Sequence, residues 1–413
     1  MNDIPNNYVS YLRSLGAIRE RSQQLFDLAL IDKLEHFRCD LGAIAPTADY
    51  VLEVMRTNYP DLQVPFHSRW RHFAAGGNQR LDLLESRLAD LSPLEKARTK
   101  FDLVIPSVLL DAGAGALWRY QEPGTDLVWG RSEGLGIASF YTFLQGGFSG
   151  DPDRPLQADA QGLSNFSPEI LKQHFQVTAD NPLVGVTGRV ELLRKLGATL
   201  EKSPQMFSLE GVNFRLGYLV DYLQRQTQQQ QLPAAKVFQA VLEGLGEIWA
   251  NRITLAGINL GDVWQHSRLA GTSPADKLVP FHKLSQWLTY SLLEPLQELG
   301  IEITHLEEMT GLPEYRNGGL CVDLGLLQPK YPEIFTQTYS PEAEVIVEWR
   351  ALTVILLDYI AEAIRQKLNL SNKELPLVKV LEGGTWAAGR KIAAQLRSGG
   401  VPPIQIASDG TVF

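Results

Sequence analysis

Cysteine is almost missing: the 413 residues hold two, Cys39 and Cys321. Two thiols supply neither a disulfide framework nor a thiolate zinc site. No run of about 18 apolar residues occurs, so no transmembrane helix is expected. The opening residues, Met-Asn-Asp-Ile-Pro-Asn-Asn, are polar. No signal peptide is therefore expected, and a reducing, cytoplasmic location follows as the default. A basic excess is missing too. The net charge is -9, without long runs of one sign, which argues against a sequence-independent nucleic-acid binder. It leaves room for a small phosphorylated ligand held by a few arginines. Strand patterns are scarce: only 103–108 and 401–406 have that character, and each contains proline, which confines it to a sheet edge. No internal repeat and no linker-like change of composition occurs.

What is present is helical periodicity in an ordinary globular composition, 44% hydrophobic and 21% charged. Helices are expected over much of 7–60, over 79–91, and after Ser92, with Pro93 at the first helical position. Further helices are expected over 137–144, 186–200, 237–260 and 343–364. Ser132 is placed to cap the 137–144 helix, with Arg131 and Glu133 at its first turn, where backbone donors can bind anions. The 343–364 helix is apolar on most faces, so it should be central. Its charges are Glu348, Arg350 and Asp358, and buried charges are costly unless paired or used. At about 150 residues per domain the length allows two or three domains. The continuous periodicity favours one mainly α domain with few short strands. In it, residues 1–100 form an N-terminal helical cap and residues 101–413 the helical core with the active-site cleft.

Polar groups are packed most densely among apolar ones in 261–323. From His282 the apolar residues Leu284, Trp287, Leu288, Leu292 and Leu296 recur at helical spacing. His282, Lys283, Gln286 and Tyr290 sit beside that stripe. That suits a helix lining a cleft and equally a core helix with polar edges. The heptad His67-Ser68-Arg69-Trp70-Arg71-His72-Phe73 reads either as a solvated basic turn or as an anion-binding arm. Ala112-Gly113-Ala114-Gly115-Ala116 is not a phosphate loop, since no Gly-Lys-Ser/Thr follows. Gly130-Arg131-Ser132-Glu133-Gly134-Leu135-Gly136 has the wrong spacing for a dinucleotide fingerprint. No cofactor and no metal is expected.

Several stretches taken together resemble a known family. They are 111–120, 130–144, 181–189, 282–290, 314–323, Glu348-Trp349-Arg350 and 383–390. The chain resembles the uracil catabolism protein 4 family, also named for uracil regulation in fungi, over nearly its full length. The resemblance implies a role in a pyrimidine-degradation route that ends in urea release. A weaker similarity is to the queuosine salvage proteins, helical N-glycosyl hydrolases acting on a nucleoside 5′-phosphate. Their Ala-Asp-Thr-Trp looks like Gly261-Asp262-Val263-Trp264, and their Glu-Ile-Arg like Glu348-Trp349-Arg350. Their Phe-Ala-Asp-Tyr-Arg looks like Trp287-Leu288-Thr289-Tyr290-Ser291. Thr289 and Ser291 depart from that motif, which implies a different base or leaving group. A DNA-glycosylase-like helical core is one form the expected mainly α fold could take.

The two resemblances meet at one reaction, hydrolysis of a ribosyl-urea type intermediate, 5′-phosphorylated, to the sugar and urea. Its transition state has oxocarbenium character. The site needs a carboxylate against the positive charge, a donor for the leaving nitrogen and cations for phosphate. The candidate catalytic carboxylates are Asp262, Asp111 and Glu348. The candidate substrate-binding residues are Arg131, Glu133, His282, Lys283, Trp287, Tyr290, Arg316 and Arg350. The expected partner is a small ribosylated or nucleotide-like substrate, with no nucleic acid and no membrane. The oligomeric state stays open. Two alternatives stand beside this reading: a metal-dependent amidohydrolase using His266, His282 and Asp262 or Asp323, and a non-catalytic metabolite-binding regulator. The tail, 383–413, is expected to fold back onto the helix of Glu348 and Arg350.

Overall fold

In the computed structural model, which describes residues 3–249 and 252–407, helix dominates and every described strand is two or three residues long. The fold is mainly α, as the periodicity predicts. Of the described residues, 3–67, 252–286 and 305–407 form one unit, and 68–249 with 287–304 form the other. The first division falls after His67, and the helix Pro93–Leu109 runs across position 100.

The first unit is built on the helix Glu344–Leu368. Every residue from Val345 to Leu357 is buried, charges included. Burying one Leu, Ile or Val side chain contributes about 1.5–3 kcal/mol, so this stretch is a main source of stability. It packs against the helices Leu15–Leu30 and Ile44–Asn58. Beyond Leu357 the burial becomes one-sided, and Asp358 receives Arg19 Nε at 2.9 Å. The helix stops at Asn369, whose φ of 53° is a left-handed C-terminal stop. Trp349 donates its indole N–H to the Gly318 carbonyl at 3.0 Å, tying this helix to the helix Tyr315–Asp323.

Short strand pairs close the same unit. Phe37–Cys39 runs antiparallel to Leu327–Pro329, and Val263–Gln265 antiparallel to Leu278–Pro280. The strand expected over 401–406 reduces to Gln405–Ile406, parallel to Thr338–Tyr339. The tail folds back, but onto different partners. Its helix Trp386–Leu396 packs on Tyr315–Asp323 and Ile44–Asn58. Just before it, Leu381–Thr385 forms a π-helical turn. There Gly383 and Gly384 let the backbone approach Val64, Val51 and Met55. Residues 408–413, which the tail expectation includes, lie outside the described residues.

The second unit contains the helices Pro93–Leu109, Arg131–Leu144 and Val186–Lys202. Ser92 caps the first, accepting from Glu95 N at 3.2 Å. The strand expected over 103–108 is instead the end of this helix. All residues of 103–108 are buried and all but Ser107 are apolar, and a helix buried on every face has no visible period. Pro106 sits inside it. The expected cap at Ser132 is also corrected. The helix begins at Arg131, after Gly130, and Ser132 lies within its first turn. The helix expected over 237–260 ends at Leu245, giving way to a 3₁₀ turn and to the hairpin Thr254–Leu255 with Ile258–Asn259. No described helix is long and apolar enough to cross a membrane.

The Gly318–Trp349 contact is testable. A Cβ at Gly318 would lie 2.7 Å from the Trp349 ring, and that ring is buried and hydrogen-bonded. Gly318→Ala is expected to destabilise the protein by about 1–3 kcal/mol, as overpacked cores do. Guanidinium unfolding followed by circular dichroism measures this. An unchanged midpoint would show that Trp349 can give way.

Candidate active site

Asp262 sits between Gly261, whose φ of 73° turns the chain, and the strand Val263–Gln265. Arg350 grips its carboxylate with two parallel bonds, Nη1 to Oδ1 at 2.8 Å and Nη2 to Oδ2 at 2.7 Å. The Trp264 indole N–H donates to Oδ1 at 2.7 Å, and the backbone N–H of Lys283 to Oδ2 at 3.0 Å. Arg350 Nε donates to the Pro313 carbonyl at 3.3 Å, and the guanidinium carbon lies 4.1 Å from the centre of the Phe281 ring. Burial alone would raise the carboxyl's pKa. The charge and hydrogen bonds of Arg350, with the Lys283 and Trp264 donors, outweigh burial and hold it well below the usual carboxylate range.

The helix Lys283–Glu298 starts at this carboxylate. His282, just before it, has a φ of 47°, a left-handed backbone for a residue with a Cβ. Such strain costs about 1–3 kcal/mol and persists only where surrounding contacts fix it. Here the imidazole is fixed by the Leu12 carbonyl, 2.8 Å from Nε2. Burial pushes the His282 pKa down to about 4, so the ring is neutral at physiological pH and donates that bond.

Glu314 caps the helix Tyr315–Asp323 with both oxygens. Oε2 accepts from Arg316 N at 2.7 Å and Oε1 from Asn317 N at 2.6 Å. Burial pushes its pKa up, and the nearby charge of Lys283 only partly offsets this. Arg316 is committed to the Gly400 carbonyl at 2.8 Å and lies over the Tyr315 ring. Glu348 is fully buried and works as a structural acceptor. Its Oε1 takes the backbone N–H groups of His36 at 3.0 Å and Phe37 at 2.7 Å. Its Oε2 lies 3.5 Å from His266 Nε2. Asp323 is held by Arg397, with Nη1 at 2.8 Å from Oδ1. His266, His282, Asp262 and Asp323 thus each serve different partners. Among the described residues no three His, Cys, Asp or Glu side chains gather to hold a metal.

The second unit holds Asp111, Arg131, Glu133, Trp287 and Tyr290. Asp111 is tied to the fully buried Arg69, whose Nη1 donates to Oδ1 at 2.5 Å. The Ser132 hydroxyl reaches both Asp111 oxygens, at 2.6 and 2.7 Å. Arg69 Nε donates to Ser107 Oγ at 2.7 Å, and its backbone N–H to Ser291 Oγ at 2.9 Å. The Trp287 ring lies 5.5 Å from the guanidinium and meets His72 edge to face. Arg69 Nη2 has no acceptor among the described residues. A buried donor left unpaired costs about 1–3 kcal/mol. Arg131 is exposed, with a φ of 53°, and Glu133 lies within electrostatic reach of Arg69. Tyr290 is buried in the core.

The first unit thus brings Asp262, His282, Lys283 and Arg350 together, with Glu314 within electrostatic reach of Lys283. The second brings Asp111, Glu133 and Trp287 around Arg69. Sequence reasoning passed over Glu314 and singled out Arg69 only as one of a basic heptad. Glu314 lacks the capping signature, which is Ser, Thr, Asp or Asn with Glu or Gln three residues later. Arg69 carried no local signal, because its partners come from 107, 111, 132 and 287.

Asp262→Asn removes the counter-charge of a buried Arg, which typically costs about 3–5 kcal/mol. Because the folded pKa of Asp262 is depressed, its contribution is present above the unfolded value of about 3.9 and is lost as pH falls toward the folded value. The stability gap between wild type and Asp262→Asn is therefore expected to be full at pH 7 and to narrow below about pH 4. Urea unfolding across this range checks it. A gap independent of pH would separate the effect from the carboxylate's charge.

Comparison with known proteins places these features in a family. Residues 11–413 match the family described as "Protein of unknown function (DUF1688)". The chain is 37% identical over 443 residues to "Uracil catabolism protein 4" of Lachancea kluyveri, covering 99% of each chain. It is 39% identical over 412 residues to "Protein urg3" of Schizosaccharomyces pombe (strain 972 / ATCC 24843), covering 98% of this chain and 99% of that one. With matches that cover nearly all of both chains, the chain belongs to the family of uracil catabolism protein 4 and urg3.

Proposed function

We propose that this protein acts in uracil catabolism as an N-glycosyl hydrolase that cleaves a ribosyl-urea, 5′-phosphorylated, into the sugar and urea. The pathway rests on the name of its Lachancea relative. The observation that carries the chemistry is the divergence of two carboxyls near Lys283. Asp262 is held ionised by Arg350, while burial pushes Glu314 toward its protonated form. Pairs of acids with pKa values driven apart by their surroundings mark acid and charge-stabilising roles. In this reading the bond between C1′ and the urea nitrogen breaks. Glu314 gives its proton to that nitrogen, and water adds to C1′ and returns a proton to Glu314. Asp262, fixed by four hydrogen bonds, holds a negative edge toward the developing oxocarbenium charge. One water is consumed, and the sugar and urea leave.

The test is turnover of ribosylurea, with and without a 5′-phosphate, read as urea release through added urease. Glu314→Gln is expected to lower kcat by about 10²–10⁴-fold, the usual contribution of a positioned acid. The sign of the pH dependence follows from the raised pKa. The acid form works at low pH and is lost as pH rises through the Glu314 pKa, so kcat falls on the alkaline side. That limb should vanish in Glu314→Gln. A variant that keeps wild-type kcat and the same alkaline limb removes Glu314 from the role.

One observation favours a non-catalytic metabolite binder instead. Both Asp262 oxygens already accept two hydrogen bonds each, which leaves the carboxylate little freedom to take part in proton transfer. Tight binding of ribosylurea with no urea release at any pH is the outcome that selects that reading.

A further inference from the structure

The Arg69–Asp111 pair has binding capacity that the fold does not use. Arg69 is sealed from solvent. Its Nε and Nη1 are taken by Ser107, Asp111, the Ser132 carbonyl and His72. Its Nη2 finds no acceptor among the described residues. On Asp111, Oδ1 accepts from Arg69 and Ser132, whereas among the described residues Oδ2 accepts only the shared Ser132 hydroxyl. A carboxylate oxygen can accept two bonds, so Oδ2 keeps a place. The Asp111 side chain is 12% exposed, so the pair meets solvent on the Asp111 side, while Arg69 Nη2 itself is covered. The Trp287 ring lies beside the guanidinium. We propose that Arg69 Nη2 and Asp111 Oδ2 form a donor–acceptor edge that binds the O=C–N–H edge of a ureide, with the Trp287 ring beside it.

Charge selects this class of ligand over an anion. Asp111 already neutralises Arg69, so a phosphate or free carboxylate placed at Nη2 would also face the Asp111 charge. A neutral ureide meets both groups with the right polarity. Its carbonyl oxygen accepts from Nη2 and its N–H donates to Oδ2. The ureide is planar, which suits a flat guanidinium and a flat ring. Nothing in this edge depends on glycosidic cleavage, so it stands on its own whether or not the protein is a hydrolase.

The experiment uses the full chain and equilibrium dialysis of labelled ribosylurea, with competitors of graded chemistry. N-methylurea is expected to displace the label, and tetramethylurea, which has a carbonyl but no N–H, is not. Inorganic phosphate is not expected to displace it either. Arg69→Lys keeps the charge opposite Asp111 but loses the planar fork, and is expected to weaken ribosylurea binding by at least tenfold. If that variant fails to fold, the competitor series on wild type still decides. Displacement by phosphate, equal displacement by tetramethylurea and N-methylurea, or unchanged affinity in a folded Arg69→Lys overturns the proposal. Displacement by uracil but not by N-methylurea overturns it in favour of a cyclic imide. Cleavage that is indifferent to Arg69 overturns the edge alone. Binding that follows this pattern without cleavage confirms the edge and overturns only the hydrolase reading.

Discussion

A charge placed inside a protein must be matched there, and the pair formed by Asp262 and Arg350 shows how much structure that requirement organises. Arg350 lies in the fully buried part of the helix Glu344–Leu368. Its partner comes from 88 residues away, at the head of a three-residue strand. The same carboxylate receives the first backbone N–H of the helix Lys283–Glu298 and the indole of Trp264. A helix start, a strand and a core helix are thus fixed against one another by four hydrogen bonds. An isolated buried charge would be prohibitive, so none of these elements can shift without the others.

Arg69 and Asp111 repeat the arrangement in the second unit, with one difference in how the guanidinium is satisfied. Arg350 has acceptors for Nε, Nη1 and Nη2, all supplied by the protein. Among the described residues Arg69 has acceptors for Nε and Nη1 only. The first pair is a complete scaffold, and the second has a donor to spare. Backbone strain falls at both places. His282, with a φ of 47°, precedes the helix that begins at Asp262's side. Arg131, with a φ of 53°, opens the helix that brings Ser132 to Asp111. Left-handed backbone in residues other than glycine is uncommon and concentrates at functional sites.

Much of the helical skeleton was legible because it rests on local rules. Apolar spacing at three and four residues marked helix within 7–60 and the helices that begin near 186, 283 and 344, and Ser92-Pro93 marked a start that the structure shows. The misreadings share one physical cause. Residues 103–108 are buried all round, so periodicity could not separate helix from strand there. At Ser132 the hydroxyl serves a tertiary partner, Asp111, instead of the local cap that its position suggested. The site was legible by residue type but not by grouping. Asp262 and Arg350 were both singled out, yet as catalyst and phosphate ligand, because no spacing rule says that residues 88 apart will bind each other. Arg69 was diluted among the basic residues around it. Only folding distinguishes it from Arg71, which pairs with Glu294.

Counting lone pairs sorts the carboxyls more sharply than burial does. Glu348 is sealed, and its Oε1 is spent on two backbone donors, so exchange with a substrate would require opening the core. Asp262 has every accepting position filled and a charge balanced by Arg350, so what it can offer is a fixed dipole rather than a mobile proton. Asp111 retains one accepting position, which fits recognition of an N–H group better than attack at carbon. Glu314 combines a raised pKa with a neighbouring cation, as Asp102 does beside Arg215 in the second unit. Protonation would weaken its hold on Arg316 N and Asn317 N, so in the hydrolase reading each turnover also loosens and restores the start of the helix Tyr315–Asp323. Arg316, in that first turn, holds the Gly400 carbonyl. In that reading proton transfer at Glu314 is joined, through Arg316, to the segment around Gly400, and an acid that caps a helix would couple its chemistry to the packing of that segment.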